Sequence, residues 1–337
     1  MSNITFLTPG LLTTIQDRGR ASLQQLGIPA CGAMDTLAME LANLLVGNFN
    51  DEAVLECTFS GPKIKFDTSS LIAITGGEVF AKLNGYEIDN YTTIEVKKGD
   101  ILDLTRFKSG MRVYIAFSGG IKVPNVLGSK ATYLPMQFGE FDKKISINQT
   151  LPIGEIKERR FFKITKDNPL RFRKNETQSI RIVQGPQYSY FDKEEINKIV
   201  KDPYKISDKS DRMGLRLIGK EIVTESKDMI SDGIPLGSIQ ITRGGQPIIM
   251  AADRQPTGGY PKIAKIILSD IHHLGQLAPS DKIKFKWVDI DQSKEIFLDY
   301  KKELEKLKNN YRKREIATDV FRMYIDNKMY QTTLAEM

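Results

Sequence analysis

Histidine is almost missing from this 337-residue chain, with His272 and His273, side by side, as its only two imidazoles. One dipeptide cannot supply the separated ligands of a multi-histidine metal centre, and any histidine-based triad would have to be built on that single spot. Cysteine is as scarce. Cys31 and Cys57 show neither C-x-x-C spacing nor a third soft ligand nearby, so no metal site and no disulfide framework is expected, and a reducing compartment fits. No run of about 18 apolar residues is present to span a bilayer. The N-terminal MSNITFLTPGLLTTIQD also lacks the basic-then-apolar pattern of a secretory leader, so a cytoplasmic protein without membrane contact is expected. Neither G-x-x-x-x-G-K-[ST] nor G-x-G-x-x-G occurs, which leaves no recognisable nucleotide grip.

Hydrophobic residues make up 40% and charged residues 27%, the balance of a folded globular chain. Single cores stop growing near roughly 250 to 300 residues, so two lobes are expected. The net charge of +7 is spread over scattered lysines and arginines with no aromatic-basic signature, which argues against a nucleic-acid partner. The densest basic stretch, 157–174, is broken by Asp167, Asn168 and Pro169 and reads as a solvated connection between lobes.

Short apolar runs punctuated by Gly, Pro, Asn and Asp dominate the first 150 or so residues, with strands expected at 71–75, 81–83, 101–104 and 113–117. Asn84-Gly85 between AKL and YEI is a two-residue hairpin signal, because both turn positions need positive φ. One helix interrupts: TLAMELANLLVG puts Leu37, Leu41, Leu44 and Leu45 on one face, with Asp35 as N-cap and Gly47 at its end. The second lobe opens with IRIVQG and a helix over 192–200, then strands at 238–242, 247–251 and 282–288. IAKIILSDIHHLGQL mixes strand and helix signals and leaves at least one histidine exposed. From Ser293, the spacing of Phe297, Tyr300, Leu304, Leu307 and Tyr311 predicts an amphipathic helix, and VFRMYI-DN-KMYQTTL predicts a terminal hairpin. The expected class is mainly β with few helices, divided 1–175, 176–290 and 291–337; no βαβ alternation supports a doubly wound sheet.

Four segments are rich in residues that folding alone does not require: QDRGR, GIPACGAMD, SDRMG and GSIQITRGGQPIIMAADRQPTGGYPKIA. Together with PGLLTTIQD, NLLVGN, LECTFSGP, YIAFSGGI, VLGSKAT, IRIVQGPQ and QLAPSDKIKF, they resemble the allophanate hydrolase subunit 2 family, also called KipA-like or biotin-dependent carboxyltransferase subunits. The resemblance implies cyclophilin-like β-barrel lobes and a KipI-like partner, the B subunit. It also implies one of three activities: ATP-dependent 5-oxoprolinase with separate A and B subunits, carboxyl transfer to urea-like acceptors, or antagonism of a KipI-like histidine kinase inhibitor. The first is taken as the leading expectation, with a small amide or lactam as substrate. ATP is then expected to be shared with partner subunits, and biotin to arrive only on another protein, since no Met-Lys-Met carrier motif occurs.

The residues agree with amide recognition. Gln240, Gln246 and Gln255 offer neutral donors and acceptors together, and Arg212 and Arg254 offer bidentate grips for a carboxylate or phosphoryl group. Asp253 is a candidate base or a partner that orients Arg254, with Tyr260 as phenolic donor or wall. Gly258 and Gly259 permit close backbone approach. Asp253, Arg254 and Tyr260 are thus the candidate catalytic residues. The three glutamines, Arg212, the two glycines and Gln16, Asp17 and Arg20 are the candidate binding residues, although a loop Asp-Arg pair at 17 and 20 equally suits pinning a strand. Cys31 has no histidine near it in sequence to activate it as a nucleophile. Compared with the family pattern, Ser22 and Ser280 replace glycines, Glu140 replaces a second glycine, and Pro256 replaces a threonine, removing a hydroxyl and a backbone donor from the candidate site.

Overall fold

The computed structural model describes residues 2–140, 144–224 and 229–335. The chain divides into two units: one holds Met1–Gly19, Asp35–Arg173 and Glu303–Met337, the other Arg20–Met34 and Lys174–Lys302. The class is mainly β, at 37% strand against 19% helix. Among the described residues, no helix is long and apolar enough to cross a membrane.

The first unit carries two sheets. An eight-stranded sheet runs from Thr150–Pro152 through Asn3–Thr8 to the terminal hairpin Ala317–Ile325/Lys328–Ala335. A five-stranded sheet places Phe107–Phe117 between Val54–Thr58 and Ser70–Val79. Ile4, Phe6, Leu55, Phe66, Ile74, Leu102 and Phe117 belong to the core of this unit, which alternation along the strands delivers. Both expected turns form: Asn84 and Gly85 take φ of 53° and 88°, Asp326 and Asn327 46° and 62°. Helix α1, Thr36–Leu45, starts where the carboxylate of Asp35 accepts from the Ala38 N–H at 2.8 Å, and it buries Leu37, Leu41, Leu44 and Leu45. Gly47 follows its C-cap with φ 73°.

Most of the charged residues of the basic stretch 157–174 are exposed, as its charge suggested, but it is anchored at four positions. Phe162, Ile164, Leu170 and Arg171 are buried. The Arg171 guanidinium lies 4.2 Å from the Tyr91 ring centroid and donates to the Ile164 carbonyl at 3.0 Å. The apolar residues spaced through the run decide its burial, and the arginine follows by stacking.

The second unit is a closed barrel of seven strands, in the order Thr177–Gln184, Lys262–Ile266, Ser238–Ile241, Pro247–Met250, Gly214–Ile218, Tyr204–Ile206 and Lys282–Trp287. Thr177–Gln184 and Lys282–Trp287 close it in parallel, with Thr177 opposite Lys282. Ile182, Leu215, Ile239, Ile249, Ile263 and Phe285 fill the interior. Helix α2, Lys193–Lys201, is capped by Asp192, whose carboxylate accepts from the Glu195 N–H at 2.9 Å. The ambiguous segment resolves into the strand Lys262–Ile266 and the 3-10 helix Leu268–Gln276. Neither histidine in it is exposed. The two rings lie tilted at 42° with centroids 4.1 Å apart, and burial pulls both below the ordinary imidazole range. Helix α3, Ile290–Arg312, begins earlier than the spacing suggested and buries Leu304, Leu307 and Tyr311. Ser280, which stands where the family pattern has glycine, sits at φ 76°, a left-handed conformation that strains a residue with a Cβ.

Candidate functional site

Barrel alternation sorts the candidate residues. Ile239 and Ile241 point into the core, so Gln240 between them lies on the other face of its strand. Its Cα partner across the ladder is Lys262, whose neighbour Ile263 is a core residue, so Gln240 and Lys262 share that outer face. Both are buried nonetheless, at 2% and 0% exposure. The cover is a two-stranded ribbon, Asp232–Gly233 paired with Thr257–Gly258 in the register Asp232 to Gly258. Gly258 is a close-approach glycine. A Cβ there would lie 2.7 Å from Ile234 Cδ1, 3.0 Å from Gln255 Nε2 and 3.4 Å from Gln240 Nε2. Two amide side chains therefore converge on Gly258 and, with Ile234, fill the volume a Cβ would need. Gln240 donates to the Tyr260 carbonyl at 3.3 Å.

Lys262 is the residue that sequence reasoning missed. Its ammonium donates to Asp232 Oδ2 at 2.9 Å, and Gln187 Nε2 reaches the same oxygen at 3.3 Å. The Asp232 carboxyl is held below the usual carboxylate range, first by the hydrogen bond from Lys262. A lysine at the start of an apolar strand reads as solvated edge. Only the ribbon, contributed by chain 30 or so residues away, buries it.

Asp253 does not orient Arg254 as their adjacency suggested; it takes Arg212. Arg212 Nε and Nη2 donate to the two Asp253 oxygens at 2.9 and 2.8 Å, a bidentate pair, and Nη2 also reaches the Gly32 carbonyl at 2.6 Å. Asp253 lies in a turn closed by the Arg254 N–H on the Ala251 carbonyl at 3.3 Å, and its carboxylate meets a guanidinium from another part of the chain. Arg254, itself buried, donates through Nε to the Ile234 carbonyl at 2.8 Å and through Nη1 to the Ala251 carbonyl at 3.3 Å. It thereby ties down the segment leading from the ribbon. The Pro256 carbonyl accepts from the Ile234 N–H at 2.8 Å, so the proline serves the ribbon with the one backbone group it retains.

Cys31 lies among these charges, with φ 57°. Burial, then Asp253, pushes its thiol up to about 12 against the opposing pull of Arg20 and Arg212. It is a protonated, unreactive thiol at neutral pH. Arg20 belongs to this unit, whereas Gln16 and Asp17 belong to the other. Asp17 accepts from Ser129 Oγ at 2.6 Å and from the Lys130 and Gly19 N–H groups at 2.7 Å each, the pinning role open to it. Gln16 Nε2 donates to Thr14 Oγ1 and to the Thr132 carbonyl at 3.0 and 3.1 Å.

Tyr260 and Gly259 line a different space, a cleft of about 940 Å³ also bordered by Glu221, Thr242, Arg243 and Gly245. Asp253 and Arg254 are not among its lining residues. Gln246 borders a smaller hollow of about 440 Å³ with Arg216 and Tyr260. The segment from Asp253 to Tyr260 thus does not form one polar wall: its first two residues are internal ties, and its last two face solvent.

A phosphate-bearing cofactor fits poorly at the helix ends. Asp35 caps α1, Asp192 with Glu194 and Glu195 opens α2, and Asp291 lies in the first turn of α3. Each places a carboxylate where a phosphate would need the positive end of the dipole to itself.

Comparison with known proteins agrees with the fold and with the motifs. The chain is 34% identical over 306 residues to the 5-oxoprolinase C subunit of Escherichia coli, covering 90% of this chain and 97% of that one. It is 32% identical to the 5-oxoprolinase C subunit of Haemophilus influenzae, covering 94% and 96%. The Kluyveromyces lactis urea carboxylase structure superposes with a TM-score of 0.82 at 27% identity, covering 99% of this chain, which spans 32% of that longer protein. The model of the carboxyltransferase domain, subdomain A and B, matches residues 26–287, and the chain belongs to that family.

Proposed function

We propose that this chain is the C subunit of an ATP-dependent 5-oxoprolinase, which opens 5-oxoproline to L-glutamate together with its A subunit and a KipI-like B subunit in the cytoplasm. The observation that carries this reading is the end-to-end similarity to two proteins named as 5-oxoprolinase C subunits, over 97% and 96% of their lengths. A match to one domain of a larger enzyme would carry less.

The geometry is compatible with a lactam. A cyclic amide presents one C=O and one N–H side by side, and the Gln240 and Gln255 amide nitrogens that converge on Gly258 are uncharged donors suited to its C=O. Arg212 and Asp253 hold one another, so this pair shapes the site rather than gripping substrate. Tyr260, 40% exposed on the larger cleft, is free of that network and remains the candidate phenolic donor. ATP is taken to be shared with the partner subunits, the three α-helix N-termini here already carrying carboxylates.

A second reading, carboxyl transfer to a urea-like acceptor with biotin carried on another protein, is favoured by the 0.82 superposition on urea carboxylase. Reconstitution decides between them. Co-expressed with its two partner subunits, the chain should copurify with them and support ATP-dependent glutamate release from 5-oxoproline, and its omission should abolish release. Urea-dependent turnover with a biotinylated carrier, and none with 5-oxoproline, would overturn the assignment.

A further inference from the structure

Lys262 and Asp232 form an ion pair whose two halves are unequal. The lysine side chain is 0% exposed, whereas the aspartate is 52% exposed. A buried ammonium without an opposite charge is strongly unfavourable, so Lys262 needs an anion beside it at all times. Asp232 has no such need, since water solvates an exposed carboxylate well. It also rides on a ribbon of two-residue strands. Among the described residues, Asp232 is the only hydrogen-bond partner of the ammonium, and it occupies one of three N–H donors. The pair is thus an internal charge held by an exchangeable counter-ion.

The surroundings state what would replace it. Gln240 is the cross-strand neighbour of Lys262, and Gly258 is the partner of Asp232. The Gln240 and Gln255 amide nitrogens pack close against Gly258, 3.4 and 3.0 Å from where a Cβ would stand, so any room for a ligand is the volume the Asp232 side chain vacates. The Gln255 side chain is exposed and has no hydrogen-bond partner among the described residues. One buried cation and two neutral amides call for a ligand carrying one carboxylate and one amide.

We propose that Lys262 is the carboxylate-recognition residue of this site: a small carboxylated amide or lactam displaces Asp232 from the ammonium and presents its amide to Gln240 and Gln255. This rests on the lactam-opening reading and narrows it. Urea has no carboxylate, so Lys262 selects a 5-oxoproline-like substrate against it, and the two arginines first considered for that task are occupied elsewhere. No covalent step is involved; one carboxylate exchanges for another.

Calorimetric titration of the full-length chain tests the idea with 5-oxo-L-proline, succinamate, 2-pyrrolidinone and urea as probes. Wild type should bind 5-oxoproline saturably, and at least about tenfold more tightly than 2-pyrrolidinone, a difference of about 1.4 kcal/mol. Lys262→Met should remove that preference while leaving the weak binding of 2-pyrrolidinone unchanged. Asp232→Asn, which removes the competing carboxylate and leaves the buried ammonium to the added ligand's, should tighten 5-oxoproline binding several-fold, and it carries the test if Lys262→Met does not fold. Succinamate binding that depends on Lys262, with no response to 5-oxoproline, would keep this site but sink the 5-oxoprolinase assignment. Binding of 5-oxoproline that ignores both substitutions would sink the site and leave the assignment standing. Failure of both carboxylated amides to bind would overturn the proposal outright.

Discussion

Replacing Asp253 with alanine separates an internal tie from a reactive base. Its carboxylate is 7% exposed and receives two charge-assisted hydrogen bonds from Arg212, at 2.9 and 2.8 Å. Removing it leaves a guanidinium, 13% exposed, without the Asp253 carboxylate and with the Gly32 carbonyl still in reach. Breaking a buried pair from one side costs roughly 3–5 kcal/mol, against about 0–1 for an exposed pair. With a urea dependence of about 2 kcal/mol per molar, the unfolding midpoint should fall by roughly 2 M. The assay is built into the chain: Trp287, the sole tryptophan, packs edge-on to Tyr188 at 5.6 Å in the same unit, so its fluorescence follows the barrel. In an Arg212→Met background, the same Asp253→Ala change should cost far less, with a coupling of about 2–3 kcal/mol. A midpoint shift below about 0.5 M, near 1 kcal/mol at that slope, combined with lost turnover in the reconstituted enzyme, would refute this reasoning and restore Asp253 as a base.

Other expectations are as direct. Gly258→Ala should lower turnover of the reconstituted enzyme at least about tenfold, because its Cβ meets Ile234 at 2.7 Å and Gln255 at 3.0 Å; Gly259→Ala, whose nearest contact is 3.5 Å, should stay near wild type. Equal effects of the two would remove Gly258 from the site. Ser280→Gly should raise stability by about 1 kcal/mol by relieving the 76° φ, read as a higher thermal midpoint. Cys31 and Cys57, each pushed up to about 12 by burial, should resist iodoacetamide in the native protein at pH 8 and react once it is unfolded in urea. Because burial lowers the folded-state values of His272 and His273 below about 6.5, the unfolded chain binds more protons on acidification. Their contribution to stability is therefore complete above that unfolded value and lost as pH falls below it. The urea midpoint should drop between about pH 7 and 5, and the slope should flatten when both are replaced by glutamine.

The sequence by itself determined what depends on neighbours in the chain. The Asp35 cap, the Asn84-Gly85 and Asp326-Asn327 turns, the leucine face of α1 and the barrel strands Thr177–Gln184, Ser238–Ile241, Pro247–Met250 and Lys282–Trp287 follow from local φ preference and from periodicity and form as read, whereas the barrel strands Tyr204–Ile206 and Gly214–Ile218 carried no such signal. The motif-bearing segments, taken together, also revealed the family. Tertiary structure alone decided which charges meet. Asp253 stands beside Arg254 in the chain but bonds Arg212, 41 positions away, and Lys262 is buried by a ribbon that begins 30 positions earlier. Burial and pairing of charge depend on desolvation by distant segments, which no local pattern encodes, and in this chain they separate the residues that hold the site together from those positioned to meet a ligand.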